Sequence, residues 1–450
     1  MNSKKIKCSM DDLFCFLVFF YPIVRYYKVP LIGIGFEAVM AVMIFIVGLL
    51  LWIKRLYCKS EKELLKSKRF FLLFLIWAAV VTLYYELFTE FSISNPASNY
   101  NVNSITIFFV SGLIIYFILS ESIKIENCLK IYSRFVCIML LIVLLQWILL
   151  LMGVRISFKL PFEYTADWAY MSNKIFGMNS YPTGLFSERS HLCEYLCPYV
   201  ALCLFSNKIV DKSRIKKAIL ISAVIIGTAS GNGIMILLIE WVLWFLGLGQ
   251  NKENIHLSNR IVIVLIGIVG VVSMYLFLSR IPRFANMFST LFVDSTGSKY
   301  TSSKADYRIY RGFDIYFRLP IVQKIVGVGF KHMYMFANAN NIQSVFDYFW
   351  KDVYEYFSAI SMIMLYFGSV GLIGFLLHLW AIFKSKIDVV RGLLIVMFAL
   401  CFSCEMLLNY SHIMFCLIVV MAFSIERKDN CTKLETEDVK EYENWNTNLS

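Results

Sequence analysis

Residues 33–53 read GIGFEAVMAVMIFIVGLLLWI, and Glu37 is the only charged side chain among them. A helix needs about 20 apolar residues to cross a hydrocarbon core of about 30 Å, so this stretch predicts a transmembrane helix. Runs of the same kind recur along the chain. They predict twelve spans, at residues 11–24, 33–53, 70–88, 104–120, 135–152, 190–206, 218–230, 233–249, 261–279, 357–383, 392–408 and 410–425.

The composition of the whole chain agrees with this interpretation. Of the 450 residues, 59% are hydrophobic and 16% are charged, and the mean hydropathy is +0.67. A soluble domain has about 45–50% apolar and about 25% charged residues. Polar side chains are too few to cover the surfaces of a soluble enzyme of this length. The chain is therefore predicted to be an all-α, polytopic integral membrane protein.

Lysine and arginine are distributed unevenly between the two sides of the predicted spans. With the N-terminus in the cytoplasm, 27 of the 43 basic residues fall in cytoplasmic segments and 16 in outer segments. An excess of basic residues in short cytoplasmic loops is the rule for membrane proteins. Both termini are thus predicted to be cytoplasmic. The net charge of +12 is attributed to membrane topology, and nucleic-acid binding is not expected.

The predicted spans divide the chain into four parts. They are residues 1–279 with spans one to nine and an outer loop at 153–189, residues 280–356 as a large outer loop, residues 357–425 with spans ten to twelve, and a cytoplasmic tail at 426–450. Long loops in compact proteins are usually functional or disordered. The large loop carries aromatic residues throughout, which predicts short helices around 305–318 and 342–356 that lie over the membrane face.

A polar break at Thr228-Ala229-Ser230-Gly231-Asn232-Gly233 interrupts the apolar run 218–249. It predicts two helices joined by a tight turn. The first, seventh and last spans are short, so eleven spans or a re-entrant segment is the alternative. None of the 12 cysteines falls in a predicted outer loop, which predicts no disulfide in an oxidising compartment. The sequence offers no divalent-metal cluster, and no metal or cofactor is expected.

Ten basic residues lie in the large outer loop, against the positive-inside trend. Arginine binds phosphate groups bidentately, and Arg308 and Arg311 share one face if their segment is helical. An anion site is one interpretation of this loop, and a solvated surface is the other.

Four glutamates fall within or near predicted spans: Glu86, Glu194, Glu240 and Glu405. A charged carboxylate at the bilayer centre costs several kcal/mol, so each is expected to be protonated, to face water or to meet an arginine from a loop. For Glu240, a structural hydrogen bond is the alternative. His191 and Glu194 are three residues apart at the outer end of one span, which predicts an acid/base pair there.

Two stretches of the chain resemble elements of the Wzy-type O-antigen and capsule polymerases. The first is Tyr181–His191, YPTGLFSERSH, which resembles the R-x-x-G-x-F-x-E-P-S element that opens a span in that family. The second is the Thr228–Gly233 turn, which resembles the family's T-x-S-R-x-G turn, also found in O-antigen ligases. The family's leading Arg is Tyr181 here, its Pro is Arg189, and Asn232 stands near the place where Arg is usual.

A third stretch resembles the family's R…P-x-x-G-x-G loop and the glycine-rich helix that follows it. It begins at Arg308, continues through Pro320 to Gly327-Val328-Gly329-Phe330, and ends in Phe367-Gly368-Ser369-Val370-Gly371-Leu372-Ile373-Gly374. The ligases carry a His-Asn pair about eleven residues before the glycine-rich helix motif. Phe357 and Ser358 occupy those positions here, which favours a polymerase over a ligase.

The resemblance implies a GT-C-like membrane glycosyltransferase that uses no nucleotide sugar. The donor would be a growing glycan on undecaprenyl diphosphate, and the acceptor would be one repeat unit on the same lipid. The two would be joined on the periplasmic face of the bacterial inner membrane, releasing the lipid diphosphate. The resemblance further implies two protein partners, a chain-length-regulating membrane protein and a flippase. The identity of the sugars cannot be derived from the sequence.

The residues that this chemistry would use fall into two groups. The diphosphates are expected at Arg308 and Arg311, with Arg280, Arg283 and Arg189 as second choices. Orientation of the acceptor or base catalysis is expected from Glu188, His191, His332 and Asp352. Other functions consistent with the predicted spans are an O-antigen ligase and a lipid-oligosaccharide flippase or transporter. A flippase is disfavoured because the chain has no internal repeat, one large outer loop and no basic residue within a predicted span.

Overall fold

A computed structural model of the chain describes residues 9–30, 34–56, 64–88, 102–120, 127–152, 160, 162–163, 182–186, 188–206, 213–228, 230–248, 304–344, 357–385 and 387–426. Regular structure in these ranges is helical, and the only bridge between extended residues there joins Lys28 and Gly35. The all-α prediction is therefore confirmed for this part of the chain.

Fourteen helices are described, and we number them in chain order. They are α1 (Met10–Val24), α2 (Phe36–Leu56), α3 (Leu65–Phe88), α4 (Val102–Leu119), α5 (Cys128–Leu151), α6 (Arg189–Phe205), α7 (Arg214–Gly227), α8 (Gly231–Phe245), α9 (Lys304–Arg318), α10 (Ile321–Val326), α11 (Met333–Ala339), α12 (Ala359–Phe383), α13 (Asp388–Ser403) and α14 (Tyr410–Glu426).

The helices form a bundle whose outward faces are apolar. Four of them, α2, α3, α5 and α12, are long and apolar enough to cross a membrane. Large apolar side chains stay exposed on these helices, among them Leu73, Leu141 and Ile373. An extended apolar surface of this kind marks an interaction with lipid or protein. These features are those of a helical membrane protein.

The described helices overlap eleven of the twelve predicted spans, and the remaining one, at 261–279, lies outside the described residues. Several helices begin earlier than predicted: α3 starts at Leu65 rather than 70, and α5 at Cys128 rather than 135. The hydrophobic run marks the hydrocarbon core, whereas helical hydrogen bonding continues into the charged flank. Basic side chains such as Lys68 are accommodated there because long stems can carry the charge towards water.

The number of spans that cross the membrane stays a prediction. Helix α1 has 15 residues and α7 has 14. At 1.5 Å per residue they rise about 21–23 Å, less than the hydrocarbon thickness of about 30 Å. The predicted turn between the seventh and eighth spans is confirmed, because α7 ends at Gly227 and α8 begins at Gly231.

Glu405 does not lie within a helix, although its predicted span extends to residue 408. Helix α13 ends at Ser403, and Cys404 is already extended, with φ −130° and ψ 163°. Glu405 therefore lies in the connection between α13 and α14, where the side chain of Asn409 donates to its carbonyl oxygen. Met406, Leu407 and Leu408 in this connection are apolar and buried. Because the apolar run continues through them, nothing in the sequence indicated that the helix ends at Ser403.

Helix α12 packs most extensively against α3 and is kinked at Gly368, which has φ +67°. The kink frees three successive carbonyl oxygens from helical bonding. Those of Leu365 and Tyr366 accept from the amides of Val328 and Gly329, at 3.1 and 2.8 Å. The oxygen of Phe367 accepts from the Trp77 indole at 2.9 Å. The two glycine-rich parts of the third motif thus form one packed unit.

The predicted helix around 305–318 is confirmed as α9, which packs on α12. Arg311 and Ile315 are buried four residues apart in α9, and Leu319, which directly follows the helix, continues this spacing. The predicted helix at 342–356 is not present at its described start, since residues 342–344 are not helical, and the rest of it lies outside the described residues.

Candidate functional site

The ends of three distant segments meet around His191 in the first turn of α6. Its Nε2 atom lies 3.0 Å from the Tyr26 hydroxyl, which follows α1, and its Nδ1 atom lies 3.2 Å from the hydroxyl of Tyr410, which begins α14. Nδ1 also lies 3.6 Å from Glu194 Oε2, which accepts a hydrogen bond from Ser411 at 3.1 Å. The predicted pairing of His191 with Glu194 is thus present, and two phenols complete it.

Arg25 adds a cation to this group of residues, which we call the His191 cluster. Its guanidinium lies 3.9 Å from the ring centroid of Tyr26 and 4.0 Å from that of Tyr410, so it is stacked between two aromatic faces. Cation–π contacts of this kind contribute about 0.5–2 kcal/mol each. Among the described residues the Arg25 side chain makes no ion pair, and its buried Nε atom has no hydrogen-bond partner there.

Acidic groups surround the Tyr26 phenol. Burial raises its pKa, the positive charge of Arg25 lowers it, and the negative charges of Glu188, Glu37 and Glu405 raise it further. The phenol therefore stays protonated at neutral pH. The cluster combines one guanidinium and one imidazole with several carboxylates, a set of groups that suits the transfer of a proton between neutral hydroxyls.

The first and second motifs contact each other beside this cluster. Arg189 donates from Nη1 to the carbonyl oxygen of Thr228 at 3.1 Å, and the Cys193 thiol lies 3.5 Å from the Thr228 hydroxyl. A Cβ on Gly233 would lie 2.5 Å from the Cys193 sulfur, so only glycine allows α8 to approach α6 this closely. Glu188 precedes α6 as its N-cap residue and accepts from the Ser190 hydroxyl at 3.0 Å.

The structure excludes a solvated surface as the interpretation of Arg311. Its side chain is 1% exposed, the largest of the fully buried side chains described, and its guanidinium lies 5.2 Å from the Phe357 ring centroid. Burying a charge costs several kcal/mol unless it is compensated. Arg318, the last residue of α9, is exposed and paired with Asp314 at 3.0 Å. Arg308 lies three residues before Arg311 on the same helix.

His332 is held by contacts at both ring nitrogens. Nδ1 lies 2.9 Å from the carbonyl oxygen of Phe330, and Nε2 lies 3.0 Å from Glu86 Oε2 near the end of α3. The imidazole is 2% exposed. The Phe330 amide in turn donates to Thr82 at 3.1 Å. His332, predicted as a candidate base, therefore joins the third motif to α3, and its imidazole is the hydrogen-bonding partner of Glu86.

Glu240 is fully buried in α8, and neither carboxyl oxygen has a hydrogen-bond partner among the described residues. The structural hydrogen bond considered for it is therefore absent from this part of the chain. Three predicted site residues, Asp352, Arg280 and Arg283, lie outside the described residues. Of the predicted set, His191 has its hydrogen-bonding contacts within the His191 cluster. Glu188 and Arg189 lie beside it at the start of α6, where they contact Ser190 and Thr228, and His332 lies with Glu86 in a separate contact.

Arg25, Tyr26 and Tyr410 were missed at the level of sequence. Tyr26 and His191 are 165 residues apart, and Tyr410 and His191 are 219 apart. Arg25 and Tyr26 directly follow a hydrophobic run, where aromatic and basic residues are common membrane-interface anchors. Because a membrane-interface role accounts for Arg25 and Tyr26, nothing marked them as site residues. No local sequence pattern pairs them with a histidine in another helix.

The described residues contain no group of three or more His, Cys, Asp and Glu side chains placed to hold a metal ion. The side chains of the His191 cluster are an imidazole, two phenols, a carboxylate and a guanidinium. No protein-family model matches the chain, and no curated protein matches it.

Proposed function

We propose that the chain is a membrane glycosyltransferase that polymerises undecaprenyl-diphosphate-linked oligosaccharide repeat units into O-antigen or a capsule-like polysaccharide. The growing glycan is transferred from its lipid carrier to a new lipid-linked repeat on the periplasmic face of the inner membrane. The observation that carries the proposal is the His191 cluster, in which an imidazole bonded to two phenols lies beside a carboxylate and a guanidinium, at the end of a bundle of apolar helices.

The chemistry of this transfer requires two kinds of group. An acceptor hydroxyl needs orientation and a proton acceptor within hydrogen-bond reach, which the His191 cluster supplies. The departing lipid diphosphate develops negative charge, which fixed cations stabilise. Arg308 and Arg311 on α9 are proposed for that role. The Arg311 guanidinium is held 5.2 Å from the Phe357 ring centroid, and a cation held in place needs little reorganisation during the reaction.

The arrangement of the motifs gives further support. Arg189 of the first motif bonds to Thr228 of the second, and the two glycine-rich parts of the third pack backbone against backbone. The first two stretches are thus in contact with each other, as are the two parts of the third. A chain-length-regulating membrane protein and a flippase are proposed as partners because the resemblance to the polymerase family implies them.

A gel of surface polysaccharide from the source strain tests the proposal. With the gene deleted, we expect the lipid core to carry a single repeat unit, and the wild-type gene should restore the ladder. Bare core with accumulated lipid-linked polymer would indicate a ligase instead. Bare core without such polymer would indicate a flippase, and an unchanged ladder would remove the chain from this process.

A further inference from the structure

Both ring nitrogens of His191 are already engaged. Nε2 contacts Tyr26 and Nδ1 contacts Tyr410, and the imidazole is only 16% exposed. A neutral imidazole donates at one nitrogen and accepts at the other. Because a carboxylate can only accept, the neighbouring Glu194 favours the proton on Nδ1, and we therefore assign Nε2 as the acceptor from the Tyr26 hydroxyl. His191 cannot reach a substrate hydroxyl without giving up a phenol.

The two phenols differ in their access to solvent. Tyr410, the first residue of α14, is 3% exposed, and its ring packs against Tyr21 of α1 and His191 of α6. Tyr26 is partly exposed in the segment that follows α1. Of the two tyrosines bonded to the imidazole, Tyr26 is therefore the more exposed residue, and we assign the substrate side of the cluster to it.

We propose that Tyr26 is the catalytic residue that contacts the acceptor hydroxyl, and that His191 and Glu194 act through it as a relay. This inference rests on the proposed glycosyl transfer. As the acceptor oxygen bonds to the anomeric carbon, its proton moves to the Tyr26 oxygen and the phenolic proton moves to His191 Nε2. The bond between the sugar and the lipid diphosphate breaks, and the diphosphate leaves with the electron pair. The imidazolium formed faces the Glu194 carboxylate, and its proton then returns to solvent.

The surrounding charges fit this role. The charged and titratable groups that act on Tyr26 are Arg25, His191, Glu37, Glu188 and Glu405. Carboxylates outnumber the guanidinium here, so this region disfavours a diphosphate. A neutral sugar hydroxyl suits it better. The Arg25 guanidinium, 3.9 Å from the Tyr26 ring, favours the electron-rich ring that forms as the phenolic proton leaves.

Kinetics of the full-length purified protein, with lipid-linked repeat units extracted from the deletion strain, test the relay. Tyr26→Phe is expected to lower kcat about 100-fold, within the range for acid–base catalysis, and to leave KM nearly unchanged. Tyr27→Phe is the matched control: its buried hydroxyl accepts from the Leu160 amide at 3.3 Å and lies outside the relay.

The outcomes separate the two proposals. If wild-type protein makes no polymer from the extract, the proposed function fails. If wild-type protein polymerises and Tyr26→Phe matches it, or changes only KM, the relay is overturned. Should Tyr26→Phe fail to fold, His191→Gln decides, because an amide retains a donor and an acceptor but cannot take up the proton. Full activity of a folded His191→Gln variant would overturn the relay as well.

Discussion

Gly327 and Gly368 pack backbone against backbone: a Cβ on Gly368 would lie 2.7 Å from the Gly327 amide nitrogen and 2.2 Å from the Ile325 carbonyl oxygen. Both residues have positive φ, +92° and +67°. Through this contact the kink of α12 packs against the residues that follow α10. No side chain fits at either position, and the carbonyl oxygens released by the kink depend on this contact for their hydrogen bonds.

Replacing Gly368 by alanine should therefore lower the stability of the protein. The steric overlap and the left-handed backbone together cost about 2 kcal/mol or more, and the apparent Tm of the purified protein in detergent should fall clearly. Gly374→Ala is the matched control on the same helix, since its Cβ would lie 3.5 Å from Phe74, an ordinary contact. Equal melting temperatures for the two variants would contradict the packing described.

The sequence was sufficient to locate most helices. It was not sufficient to predict where they kink or end, or which helix ends contact each other. Apolar runs predicted where α2 and α12 lie because one solvent, the hydrocarbon core, imposes one composition on them. The kink at Gly368 and the loop at Glu405 depend on contacts from other segments, and the apolar composition does not change there. The same holds for the site, where Glu194 was identified by its position in a span, whereas Tyr26 was not.

Arg311→Ala tests whether the buried guanidinium serves the reaction. We expect the polysaccharide ladder to collapse to a single repeat while the protein still accumulates in the membrane, because a cation facing the leaving diphosphate would be lost. Arg308→Ala is expected to behave in the same way. Arg318→Ala, at the exposed last position of the same helix, should leave the ladder normal, since exposed ion pairs contribute about 0–1 kcal/mol.

The readout of that comparison must separate folding from activity. Membrane levels and detergent melting temperatures are measured for all three variants alongside the gel. A normal ladder from Arg311→Ala or Arg308→Ala would refute its role at the diphosphate. A collapsed ladder from Arg318→Ala would show that α9 tolerates no change, and the comparison would then carry no support for the diphosphate site.

The contact between His332 and Glu86 is predicted to stabilise the fold rather than to take part in the reaction. Its two atoms are 3.0 Å apart, and Nδ1 of the same imidazole contacts the Phe330 carbonyl oxygen at 2.9 Å. Glu86→Gln preserves a hydrogen-bonding partner, because an amide can donate to Nε2 while Nδ1 donates to the carbonyl. We expect its Tm to stay close to wild type, and Glu86→Ala to lose about 1–3 kcal/mol by leaving a buried nitrogen unpartnered. A strong loss of polymer from a stable Glu86→Gln would instead indicate that the carboxylate itself is needed.

Glu240 offers the opposite case, a buried group whose removal should help stability. Its carboxyl oxygens are buried without a hydrogen-bond partner among the described residues, and burying such a polar group costs about 1–3 kcal/mol. Glu240→Leu, of similar size, is expected to raise the Tm in detergent and to leave the ladder unchanged. Glu240→Gln keeps a polar group in the same place and should gain less. If Glu240→Leu folds but abolishes the ladder, the carboxyl group is needed for activity although its burial lowers stability. Ionisable residues within membrane helices commonly have such functional roles.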